Sequence, residues 1–158
     1  MRGDPVTTDR ALSTAVTHVL TMGITTILVA GLLMSSGTLI EVQSDRSAEQ
    51  SLETIGERLA GEIADVDRLG GDGDAVNVTA SHPETVAGST YRIELEERSA
   101  CAGDPLLDGN ADCLRLTANG ADVEVIVPIA SESDLEYGST ATGGTIEIEH
   151  DGTAIGIR

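Results

Sequence analysis

Residues 11–40 read ALSTAVTHVLTMGITTILVAGLLMSSGTLI, preceded by Asp9-Arg10, followed by Glu41, and without a charged side chain between them. Wound as a helix at ~1.5 Å per residue, the run measures roughly 45 Å, more than the ~30 Å hydrocarbon core of a bilayer. One membrane span is therefore expected. A secretory signal peptide is the competing assignment, but its apolar region runs about 7 to 15 residues and ends at an Ala-x-Ala type site. This one is longer and ends in Met34-Ser35-Ser36-Gly37-Thr38-Leu39-Ile40. An ordinary uncleaved anchor is the other alternative.

Outward from this run the charge is lopsided. In the short leading tail Arg2 and Arg10 cancel Asp4 and Asp9, so the whole net charge of -18 is carried after Ile40. There is no lysine, all 9 basic residues are arginine, and phenylalanine and tryptophan are absent. Such a surface repels phosphate, which argues against nucleic acid as a partner. It suits a protein kept soluble by self-repulsion in concentrated salt. Lysine avoidance with abundant Asp and Glu resembles the proteins of extreme halophilic archaea; an acidic mesophilic domain is the alternative.

Past the membrane run the helical period continues. Leu52, Ile55, Leu59, Ile63 and Val66 follow at steps of three and four, while Glu49, Glu53, Glu57, Glu62 and Asp65 fall off that stripe. No proline lies between Pro5 and Pro83, so nothing enforces a break. The pattern predicts one helix over about 12–69, stopped by Gly70-Gly71. Gly31, Gly37, Gly56 and Gly61 weaken it by about 1 kcal/mol each relative to alanine, and permit close packing or a bend.

After Gly70 the period falls to two, with short apolar alternations separated by Asp, Gly, Asn and Pro clusters. Val76 and Val78, Tyr91, Ile93 and Leu95, Leu114 and Leu116, and Val123, Val125, Val127 and Ile129 each mark a strand. At the end, strands over 145–149 and 153–158 flank Asp151-Gly152, a dipeptide favoured in two-residue hairpins. That turn predicts Ile148 opposite Ile155 and Ile146 opposite Ile157. The outcome is an α+β chain in which a one-sided antiparallel sheet lays its apolar face on the stripe from Leu52 to Val66. The domains read as a leader over 1–11, an apolar helix over 12–40, its amphipathic continuation over 41–69 and a β head over 70–158.

A head of that size has a marginal core, and Cys101 and Cys113 are the natural staple. A bridge closing so short a loop contributes about 3 kcal/mol and persists only in an oxidising compartment. The alternative is two free thiols in a reducing cell. Arg2 and Arg10 favour a cytoplasmic tail, but Arg46 and Arg58 lie on the other side of the run, so the disulfide and the acidic head decide for tail inside and head outside.

A long N-terminal helix, first naked and apolar and then carrying a small β head, resembles the type IV pilin superfamily. Asp9-Arg10-Ala11-Leu12-Ser13 resembles the class III signal of archaeal pilins, and haloarchaeal pilin-like proteins in particular. The resemblance implies cleavage between Ala11 and Leu12 by a prepilin peptidase, and assembly with copies of itself or other pilin-like subunits by pilus machinery. It also implies a membrane residence before assembly. Val16 stands where many pilins carry a glutamate, and Ser13 is followed by Thr14 rather than proline.

Within the apolar run Thr14, His18, Thr21 and Thr25 step by four, three and four, forming one polar stripe. Such groups bond between helices in lipid at about 0.6 to 2 kcal/mol each. Threonines bonding back to their own helix, with His18 near the interface, are the alternative. Asn77-Val78-Thr79 is an N-glycosylation sequon. Asp108, Asn110 and Asp112 have the spacing of early calcium-loop ligands, but the glycine and distal glutamate are missing, and an ordinary turn is the better reading. No nucleophile motif, phosphate loop or cofactor site is recognisable, so no enzyme and no cofactor are expected. Two functions fit this layout: a subunit of a type IV pilus-like filament, or a permanently anchored extracellular interaction module.

Overall fold

A computed structural model of the chain describes residues 6–71, 73–102, 107, 110–121 and 123–158, with backbone alone for 6–14, 36–39 and 41. The chain divides into two units, Met1–Val42 and Gln43–Arg158. Helix α1 runs over Val6–Gly70 and belongs to both. It starts earlier than the sequence predicts, at the residue after Pro5, because nothing between Val6 and Leu12 opposes helix. At the other end Gly70 and Gly71 close it as expected.

In the second unit the stripe is buried: Ala48, Leu52, Leu59 and Ile63 are fully covered, with Ile55 and Val66 nearly so. What covers it is a curled β layer. Its strands are β1 (Val76–Ser81), β2 (Thr85–Val86), β3 (Ser89–Glu96), β4 (Asp112–Ala118), β5 (Glu124–Ile129), β6 (Asp134–Leu135), β7 (Thr140–Thr142), β8 (Thr145–His150) and β9 (Ala154–Ile157). A one-turn helix, α2 (Arg98–Cys101), lies between β3 and β4. The expected single sheet is in fact two hydrogen-bonded sets, β1-β8-β9-β6 and β2-β3-β4-β5, with β7 also paired to β3. All pairings are antiparallel except β6 with β9. That exception is open to β6 because the chain makes β7 and β8 before it returns, giving the long connection a parallel pair requires.

Inward residues alternate as predicted: Tyr91, Ile93 and Leu95 on β3, Leu114 and Leu116 on β4, Ile146 and Ile148 on β8, and Ile155 and Ile157 on β9 are all fully buried. The Tyr91 hydroxyl, deep in this core, donates to the Pro83 carbonyl at 2.7 Å. Gly56 is where α1 packs closely on β4 and β5: a Cβ there would stand 2.6 Å from Val127 Cγ2 and 2.9 Å from Leu116 Cδ1. Alanine at this position would gain about 1 kcal/mol in helix propensity, but overpacking costs about 1–3 kcal/mol, so the close approach decides for glycine. Gly31 and Gly61 face open space and have no such reason.

The final hairpin corrects the sequence reading. Ile148 pairs with Ile157 and His150 with Ile155, two residues from the predicted register, and Ile146 pairs with Ala80 of β1 instead. The turn spans 151–154 because the Asp151 carboxylate accepts from the Thr153 and Ala154 amides, at 2.8 and 2.9 Å, and from the Thr153 hydroxyl. An Asx turn of this kind displaces the two-residue loop that Asp-Gly alone suggests. A slip of two keeps side-chain parity, so all four isoleucines remain inside.

Candidate functional site

In the first unit Ala15–Ser35 is long and apolar enough to cross a membrane, with a mean hydropathy of 1.9 and none of it buried. Val19, Ile27 and Leu33 are each exposed by 70% or more. Helical spacing sorts this surface into two faces. Ala15, Val16, Val19, Leu20, Gly23 and Ile24 make a wholly apolar one. His18, Thr21, Met22, Thr25 and Thr26 line a shallow groove on another.

Three of the expected stripe residues thus share a groove, while the Thr14 side chain lies outside the described residues. The Thr21 and Thr25 hydroxyls donate to the carbonyls of Thr17 and Thr21, each at 2.8 Å, and Thr26 does likewise to Met22. Back-bonding satisfies each hydroxyl proton within the helix, so the groove enters an apolar setting at low cost, while each oxygen keeps a lone pair. The side chains of the junction Ala11-Leu12 also lie outside the described residues; its backbone is part of α1.

In the second unit Cys101 and Cys113 form a disulfide with Cα atoms 6.1 Å apart, tying α2 to the start of β4. Arg115 braces the same corner, reaching Glu96 at 3.3 Å, the Ala100 carbonyl at 3.1 Å, and Glu124. Asp112 is engaged by the Arg98 amide at 3.0 Å and its guanidinium at 3.6 Å. Asp112 opens β4, and its partner is a protein cation; Asn110 is exposed and Asp108 lies outside the described residues. Asn77 and Thr79 are both exposed on β1.

Two buried polar clusters were not foreseen from sequence. Asp67, at the end of α1, accepts from the Glu132 and Ser133 amides at 2.7 and 3.0 Å. Burial pushes its carboxyl up, but the Ser133 hydroxyl, those two amides and the Ser131 hydroxyl outweigh burial and hold it below the ordinary carboxylate range. Beside it, His150 Nε2 lies 3.1 Å from Ser133 Oγ, and His150 Nδ1 accepts from the Gly152 amide at 3.0 Å. Gly70 lies against the imidazole, where a Cβ would come within 2.6 Å. In the second cluster, buried His82 meets Glu62 of α1 at 2.9 Å.

The serine, histidine and aspartate of the first cluster do not form a nucleophilic triad. With Nδ1 accepting from an amide, the neutral ring carries its proton on Nε2, so it donates to Ser133 and has no lone pair for the serine proton. Asp67 binds amides and hydroxyls rather than the imidazole. The cluster is a clasp between α1, the loop over 130–133 and the final hairpin. Asp67→Asn is expected to destabilise the second unit by about 3 kcal/mol, because an amide nitrogen turned towards two backbone donors leaves one unsatisfied. Urea midpoints measure it.

The pH response has a fixed sign. Asp67 is lowered when folded, and Asp151, bound by the Ala154 amide and by Thr153, is lowered to about 2. Groups lowered on folding stabilise above their unfolded pKa, near ~3.9, and lose that contribution as pH falls through the folded value. Stability is therefore expected to drop between about pH 4 and pH 2, less steeply in Asp67→Asn.

These features define a class: an α+β chain with an N-terminal apolar helix long enough to span a bilayer and a disulfide-closed, curled antiparallel β layer. The chain belongs to the family described as "Family of unknown function (DUF7266)", which it matches over residues 7–158. No curated protein and no solved structure matches it.

Proposed function

We propose that this chain is a structural subunit, pilin-like or pseudopilin-like, of a cell-surface filament of the type IV kind. It is cut between Ala11 and Leu12 by a prepilin peptidase and assembles through the apolar part of α1. The observation that carries this reading is that one helix, Val6–Gly70, supplies both an apolar segment with its large side chains exposed and an amphipathic segment with its stripe buried under strands. Lipid satisfies the apolar segment before assembly; in a filament, helices of neighbouring subunits replace it. The tail faces the cytoplasm and the head the exterior, where a disulfide persists and the acidic surface keeps the head soluble in salt.

The groove of His18, Thr21 and Thr25 supports helix pairing, because threonine lone pairs and an imidazole gain from partners that acyl chains do not offer. Shearing whole cells tests the reading. The chain is expected in the sheared extracellular fraction, and His18→Leu is expected to lower its amount several-fold. Normal assembly of His18→Leu removes the groove from the mechanism. Retention of all wild-type chain in the membrane points instead to an anchored surface module.

A further inference from the structure

We propose that Asn77 is an N-glycan acceptor, and that its glycan caps the one long unprotected sheet edge among the described residues. The proposal rests on the outward orientation of the head given above. Asn77 and Thr79 lie two apart on a strand, so both side chains leave the same face, and both are exposed. The sequon therefore presents its amide and hydroxyl together on accessible backbone.

The strand that carries it is unusual among the described edges. β1 reads Val-Asn-Val-Thr-Ala-Ser, without a charge or a proline, and pairs on one side only, with β8. Among the described residues no backbone hydrogen bond reaches its other side. The other described edges are short or blunted: β2 and β6 have two residues each, β7 has three, and β5 carries Glu124 and an exposed Pro128. An uncharged, proline-free edge of six residues is a template for pairing with another chain. A branched, hydrated sugar in its middle prevents that.

The donor class is a polyprenyl-phosphate-linked oligosaccharide. The Asn77 amide nitrogen forms a bond to the anomeric carbon of the first sugar, the anomeric C–O bond breaks, and the lipid phosphate leaves with its electron pair. The amide loses one proton, and nothing is oxidised or reduced.

Tryptic mass spectrometry of the protein purified from its own cells is the test, since cleavage at Arg68 and Arg92 isolates peptide 69–92. That peptide is expected to carry whole-sugar mass increments, lost in Asn77→Gln and Thr79→Val and kept in Thr79→Ser. The Asn77→Gln protein is expected to form dimers in light scattering under conditions where the wild type does not. An unmodified peptide overturns the proposal. The cysteines then say what else falls: a closed Cys101–Cys113 bridge leaves the exported head standing, and free thiols remove it too. Modification without any gain in association on Asn77→Gln overturns the capping role.

Discussion

Leu59→Asp is expected to unfold the β head. Leu59 is fully buried at the centre of the stripe between α1 and the strands. Losing its side chain costs about 2–5 kcal/mol by itself, and an unpaired carboxylate in that place adds several more. Domains of this size are stable by about 5–15 kcal/mol, so one substitution consumes most of it. The apolar segment of α1 is untouched, so membrane insertion is expected to continue. Brief trypsin treatment checks this, because Arg92 of β3 and Arg115 of β4 are each paired with strands on both sides, and their backbones become cleavable only when the head opens. Leu59→Asp is expected to be cut at both under conditions that leave the wild type whole. Glu57→Ala, on the exposed side of the same turn, is expected to resist as the wild type does. A protease-resistant Leu59→Asp head contradicts the packing described.

The second large effect is loss of the bridge. Cys101 and Cys113 are both fully buried, 12 positions apart in sequence. Replacing both with serine is expected to cost about 3 kcal/mol, chiefly through the freedom regained by the unfolded chain. The head should nevertheless remain folded at moderate temperature, because Arg115 still ties β3, α2 and β5 together through Glu96, Ala100 and Glu124. The expected readout is a lower urea midpoint with a nearly unchanged slope; an unchanged midpoint would show that the corner is held by other contacts.

What was legible in the sequence was periodicity. The steps of three and four from Leu52 to Val66 gave the buried stripe residue by residue, and the alternations around Tyr91, Leu114 and Ile146 gave the inward faces. Both depend on local geometry, which a pattern of apolar residues encodes directly. Register was less legible. Asp151-Gly152 suggested a two-residue turn, but the carboxylate of Asp151 gathers the two amides beyond it, and the loop grows to four. Only parity survived, because the hydrophobic face constrains pairing modulo two.

The polar clasps were invisible for a different reason. Asp67, Ser133 and His150 are far apart in sequence and meet only after the sheet has folded onto the helix, so no spacing announces them. His82 sits in the loop before Pro83, and its partner Glu62 lies 20 positions back on α1. A weak signal existed in Asp67 itself, one step beyond the last stripe residue and so at the rim of the buried face. The groove on the apolar helix was the opposite case, since His18, Thr21 and Thr25 could be aligned from spacing alone, while the back-bonding of the threonines required coordinates.

Assembly through α1 requires that the apolar segment begin the working protein and not merely anchor it. Mass spectrometry of the N-terminus of the mature protein, taken from the cell surface, tests this most directly. A first residue of Leu12 is the predicted result. An intact Met1, or a start after Gly37, would contradict it.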